Sequence, residues 1–99
     1  MITMYVTYAG GAETPFDRAH WINVHLPLVQ ECWGPYGLER VAGFFPLGIG
    51  GGLIAIATCD FRDRAAMDAA LASPGTARVM ADVDLVTPVK PQRSVAVPL

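Results

Sequence analysis

Val41-Ala42-Gly43-Phe44-Phe45-Pro46-Leu47-Gly48-Ile49-Gly50-Gly51-Gly52-Leu53-Ile54-Ala55-Ile56-Ala57-Thr58-Cys59 carries no charged residue and is long enough on paper to cross a bilayer. A helix through it would have to accommodate Gly43, Pro46, Gly48 and the run Gly50-Gly51-Gly52 at its centre. Each glycine costs about 1 kcal/mol relative to alanine there, and proline more. Two β-rich runs around a glycine turn suit the same residues without that cost. We therefore read Leu38 to Phe45 and Leu53 to Phe61 as a buried hairpin. The glycine loop lacks a following Lys-Ser/Thr and leads into a strand rather than a helix, so it is a turn and not a phosphate cradle.

Outward from the hairpin the pattern is regular. Ile2, Met4, Val6 and Tyr8 alternate with Thr3, Tyr5 and Thr7, the period of a strand. Thr14-Pro15-Phe16-Asp17 reads as a helix start, with Thr14 as N-cap, Pro15 at the first helical position and Asp17 as a capping-box acid. That helix runs to about Trp33, where Gly34-Pro35 closes it. Beyond the hairpin, Asp63 caps an alanine-rich helix from Arg64 to Ala72. Ser73-Pro74 starts a further helical turn or two through about Ala81. Val86 to Val97, interrupted by Pro88 and Pro91, is the last strand. The order is βαββαβ over a single domain, residues 1–99, and it predicts an α+β, ferredoxin-like, four-stranded antiparallel sheet with helices on one face. The first and third strands are then central; the proline-bearing second and fourth lie at the edges.

Composition sets the assembly. Apolar types make up 53% and charged types 16%, against a usual charged share of about 25%. So few charges leave apolar surface in water unless a second subunit covers it. A sheet clothed on one face leaves the other bare, and a second sheet is its natural cover. Both arguments predict a homodimer through the sheet face. The seven basic residues are scattered and the net charge is −2, so no nucleic-acid partner is expected. No signal peptide opens the sequence, and Cys32 and Cys59 have neither CxxC spacing nor a disulfide framework. They read as buried thiols in a reducing cytoplasm, and no membrane association is expected.

One helix carries chemical information. At about 100° per residue, Trp21, Ile22, His25, Leu26, Leu28, Val29, Cys32 and Trp33 share a broad apolar face, while Asp17, His20, Asn23, Gln30 and Glu31 lie opposite. His20 is thus expected in solvent and His25 inside the apolar stripe. Pro27 removes a backbone hydrogen bond two residues later, predicting a kink that frees a carbonyl near Asn23 and opens space beside His25. His25 has two readings: an imidazole facing a pocket and moving a proton near neutral pH, or a core histidine bonded to a carbonyl. Five residues apart, the two histidines should diverge by about 140°, which argues against a metal site. Asp82 and Asp84 follow the second helical region as a helix-end feature, with Asp82 at the pocket mouth as the other reading.

Phe16-Asp17-Arg18-Ala19-His20-Trp21-Ile22-Asn23-Val24-His25-Leu26-Pro27-Leu28-Val29 resembles the signature of EthD-like proteins: Phe-Asp, an aromatic pair, then His-x-Pro-Leu-Val. Gly34-Pro35-x-Gly37-Leu38 and Val79-Met80-Ala81-Asp82-Val83 extend the resemblance over nearly the whole chain. The aromatic pair is His20-Trp21 here, and Val86 stands where a further aromatic is usual. The resemblance implies a ferredoxin-like protomer that dimerises into an α/β barrel. It also points to cofactor-independent oxygenase, isomerase or cyclase chemistry on small aromatic, lactone or ether compounds, or to an accessory role in ether degradation. We expect His25 as general acid/base, with Met4, Val6, Tyr8, Trp21 and Asp82 around a small apolar or aromatic ligand, and neither cofactor nor metal. The alternative is a non-catalytic binding dimer that serves a partner oxygenase.

Overall fold

The computed structural model describes residues 1–48 and 51–99. Strand β1 (Ile2–Ala9) leads to helix α1 (Arg18–His20), which continues through a wide π turn (Trp21–His25) into α2 (Leu26–Trp33). A 3₁₀ turn (Gly34–Tyr36) precedes β2 (Leu38–Phe44) and β3 (Leu53–Phe61). Helices α3 (Arg64–Ala72) and α4 (Gly75–Val86) follow, then β4 (Gln92–Ala96). The strands form one antiparallel sheet in the order β2-β3-β1-β4, so β1 and β3 are central. The uncharged stretch is indeed the β2–β3 pair. Of its expected glycine turn, Ile49 and Gly50 lie outside the described residues. No helix among the described residues is long and apolar enough to cross a membrane.

Three boundaries differ from the sequence reading. Asp17, not Thr14, is the N-cap: its backbone is extended and its carboxylate accepts from the His20 N–H at 3.0 Å. Thr14 instead closes a tight turn, accepting from the Gly11 N–H. Helix α4 does not stop near Ala81 but continues to Val86, because Val79, Val83 and Val86 keep one buried stripe going at helical spacing. The last strand consequently begins at Gln92, and Pro88 and Pro91 lie in the connection before it. Ile22, expected on the buried face, is about half exposed.

Ile2, Met4 and Tyr8 of β1 are buried under the helices, with Val6 half-buried. On β3 the buried set is Ala55, Ala57, Cys59 and Phe61. The core divides in two. One half gathers Met4, Val29, Trp33, Phe61, Met67 and Val79, and the other gathers Tyr8, Trp21, Ala55, Ala57, Val83 and Val86. In the second half, Tyr8, Phe16, Trp21 and Phe45 meet largely edge to face, with centroids 5.3–6.1 Å apart. Gly43 is needed beside them: a Cβ there would lie 2.7 Å from Leu26 Cδ1 and 2.8 Å from Trp21 Cζ3. Among the described residues no helix covers the opposite sheet face, and Tyr5 and Phe44 on it stand 40% and 50% exposed.

Candidate functional site

The π turn decides the site. The Leu26 N–H reaches back to the Trp21 carbonyl, five residues away, instead of four. Pro27 explains the widening. It has no N–H for the Asn23 carbonyl and its ring would collide with it, so the backbone opens just before the proline. The expected distortion is present as an extra residue in one turn. Residues five apart, which diverge on an α-helix, are stacked on the same side of a π turn.

His20 and His25 are such a pair, and both reach one carboxylate. His25 Nδ1 lies 2.9 Å from Asp82 Oδ2, while His20 Nε2 lies 3.0 Å from Oδ1 and 3.1 Å from Oδ2. The expectation of a solvated His20 is corrected: its side chain is 23% exposed and tied to Asp82. The straight-helix wheel was the wrong geometry for this turn. Asp82, read as a helix-end residue, sits within α4 and faces inward, 9% exposed. The helix start is held against α4 as well. Asp17 donates its N–H to the Val86 carbonyl at 2.8 Å, and Thr87 Oγ1 donates to the Pro15 carbonyl at 2.7 Å. These bonds fix the two histidines opposite Asp82.

The carboxylate orders the protons. An ionised carboxylate only accepts, so each ring nitrogen facing it carries hydrogen. Burial pushes Asp82 upward, but hydrogen bonds from His20 and His25, with their charge, outweigh it and hold the carboxyl below its ordinary value of 3.8. Burial is the larger influence on His25 and lowers it below 6.5, despite the bond to Asp82. His25 is therefore neutral near pH 7, protonated on Nδ1, with a lone pair on Nε2.

The ring also borders an open space. His25 lines a cavity of about 50 Å³ whose other walls include Met4, Val6, Tyr8, Leu26, Cys59 and Val83. It lies on the seam between the two halves of the core. Of the expected ligand-facing residues, Met4, Val6 and Tyr8 are in this wall. Trp21 is not: it is 1% exposed within the aromatic cluster, and its indole N–H is buried without a well-formed hydrogen bond. Asp82 stands behind His25 and also outside the wall. Among the described residues, Trp21 Nε1 is the one fully buried side-chain nitrogen or oxygen in that state, and the Tyr8 hydroxyl is its polar neighbour; His25 Nε2 has no partner in the protein and is not sealed away. Burial raises the Tyr8 phenol above 10, keeping it a donor.

Burial likewise pushes the Cys59 thiol up to about 12, so this cavity-lining sulfur is not a nucleophile at neutral pH. Among the described residues no group of three or more His, Cys, Asp or Glu side chains could hold a metal ion. Arg93, at the cavity's β4 side, was missed by the sequence reading. Its signal was strand alternation: it pairs with Val6 and so shares the face of Met4 and Tyr8.

No family model matches the chain, and no curated protein matches it in sequence. In structure it is similar to an EthD-like protein from Ralstonia eutropha JMP134, with a TM-score of 0.84 at 19% identity over 96% of this chain and 88% of that one. An ethyl tert-butyl ether D (EthD) family protein from Bacillus halodurans C-125 gives 0.78 at 15% identity, over 100% and 99% of the two chains. SnoaB, a cofactor-independent oxygenase from Streptomyces nogalater, gives 0.68 at 14% identity, over 98% and 90%. The chain has the ferredoxin-like α+β fold of the EthD-like proteins.

Proposed function

We propose that this chain, built on the fold of the EthD-like proteins, is a cofactor-independent enzyme for a small apolar or aromatic oxygenated compound, with His25 as its general base. The observation that carries this is the His20–Asp82–His25 cluster, in which Asp82 engages His25 Nδ1 while His25 lines an apolar cavity and keeps Nε2 free of protein partners. A substrate carbon next to a carbonyl would give its proton to His25 Nε2. The bonding pair moves into the carbonyl, whose oxygen becomes an enolate. Asp82 stabilises the imidazolium so formed, and the Tyr8 hydroxyl donates to the new oxyanion. Reprotonation at another carbon is isomerisation, attack on an internal carbonyl is cyclisation, and reaction of the enolate with dioxygen is oxygenation.

Two further parts of the reading rest on surface and thiols. The uncovered sheet face with Tyr5 and Phe44 suits a second copy of the chain, giving a homodimer. The buried reduced thiols Cys32 and Cys59 suit a cytoplasmic protein.

Proton exchange into cyclopentanone in D₂O, followed by NMR, tests the base directly. Wild type should accelerate exchange over buffer, and His25→Ala and Asp82→Asn should each lose about 10²–10⁴-fold of that acceleration. Undiminished exchange in His25→Ala would remove its role as base. If cyclopentanone binds but does not exchange in wild type, a binding protein without proton transfer is the better description.

A further inference from the structure

We propose that Arg93 selects the ligand, and that the compound bound beside His25 carries an anionic oxygen, a carboxylate above all, seated against the Arg93 guanidinium. This rests on reading the cavity as a ligand site and adds the charge class of what enters it. Arg93 is the one permanently charged side chain among the residues that form the wall, His25 being neutral near pH 7. Its register opposite Val6 places it on the helix-facing side of the sheet, at the exposed β4 edge.

The charges around it leave it free for such a role. Among the described residues no carboxylate forms an ion pair with Arg93, as with Arg40 and Arg78, which lie outside the cavity wall, whereas Arg62, Arg64 and Lys90 pair with Asp63, Asp68 and Asp84. Arg18 is engaged over the Phe45 ring at 4.3 Å. The acid next to the cavity, Asp82, is occupied by two imidazole N–H groups. An otherwise apolar wall with a single unpaired guanidinium at its rim fits a molecule with an apolar body and an anionic end. Guanidinium matches a carboxylate in a two-pronged fork.

Size agrees. The cavity, about 50 Å³, is small and open to one side, and Met80 and Arg93 in its lining are exposed, so a ring compound seated in it has a way out toward solvent past them. The apolar end then lies by His25 and Tyr8, and the charged end stays at the rim, where its desolvation cost is smallest. The rival account is that only the arginine's aliphatic stem packs on the wall while its head remains in water.

Benzoate and benzamide have the same shape and differ in charge. NMR titration of wild type, Arg93→Gln and Arg93→Lys with both, reading the His25 ring and the Arg93 Nε–H, separates the accounts. Benzoate should bind wild type about tenfold more tightly than benzamide, and 0.5 M salt, about a fivefold shorter screening length than 20 mM, should shrink the gap. Arg93→Gln should erase the preference while leaving benzamide affinity unchanged, and Arg93→Lys should keep part of it. Equal binding of the two probes to wild type, or a preference that survives in Arg93→Gln, overturns the assignment and leaves the ligand site standing. If neither probe perturbs the His25 ring, the assignment and the ligand-site reading fall together.

Discussion

The two halves of the core are built on the same sheet and closed by different kinds of helix. Trp33, Phe61 and Met67 are covered by regular α-helix, and the Trp33 indole has its partner, donating to Thr76 Oγ1 at 3.0 Å. Trp21 opens the π turn, and its indole N–H makes no well-formed hydrogen bond. The first half follows the rules of an ordinary core: apolar groups packed, polar groups paired. The second half tolerates a poorly bonded donor and a widened turn, and the His–Asp–His cluster grows from that turn. The cavity opens on the seam between them. The local irregularity and the titratable cluster coincide here, and π turns are frequent at functional sites.

Truncation should show the largest contrast. Trp21→Ala and Met67→Ala each remove a buried side chain and should cost about 3–5 and 2–5 kcal/mol, read by urea unfolding. Only Trp21→Ala should also move the His25 ring signals. If both variants disturb His25 alike, the two halves are one cooperative unit. A smaller effect is expected from crowding. Gly43→Ala drives a methyl into Leu26 and Trp21, and should cost about 1–3 kcal/mol. Adding a methyl at the exposed Gly51, where nothing lies within 4 Å, should cost far less in the same assay. Equal losses would mean that Gly43 is not held against the π turn.

Acid should give the mildest and most graded response. Folding lowers His25 below 6.5, so the unfolded chain binds this proton more readily and stability falls as pH drops through that value. Asp82 is lowered below 3.8; its stabilisation is full above that value and is lost as pH falls through its folded value. Melting temperature should therefore decline in two stages between pH 7.5 and 2.5, and His25→Asn should flatten the first. A melting temperature that rises between pH 7 and 5 would contradict the burial-dominated account of His25.

Much of the fold could be read from residue patterns because its signals are local. Alternation in β1, the glycine-broken hairpin and the Asp63 cap each act within a few residues. The placement of His25 on the buried stripe could be read too, since it requires only that the chain there be helical. The partnership of His20, His25 and Asp82 could not. It depends on the pitch of one turn and on α4 continuing past its expected end near Ala81 to take in Asp82. Pro27 signalled a distortion, but a proline fixes where a helix deforms more firmly than how. Arg93 escaped because the strand's start was misplaced, which obscured the alternation that would have put it with Met4 and Val6.

The wide turn also changes what spacing means as a code. Searches for paired histidines on a helix take four residues as the unit of adjacency, and His-x₄-His passes through them as noise. Here the ruler itself is stretched, and the same letters spell neighbours. A motif in this segment is thus legible only together with the proline that follows it, so that Pro27, which touches no proton, belongs to the grammar of the site.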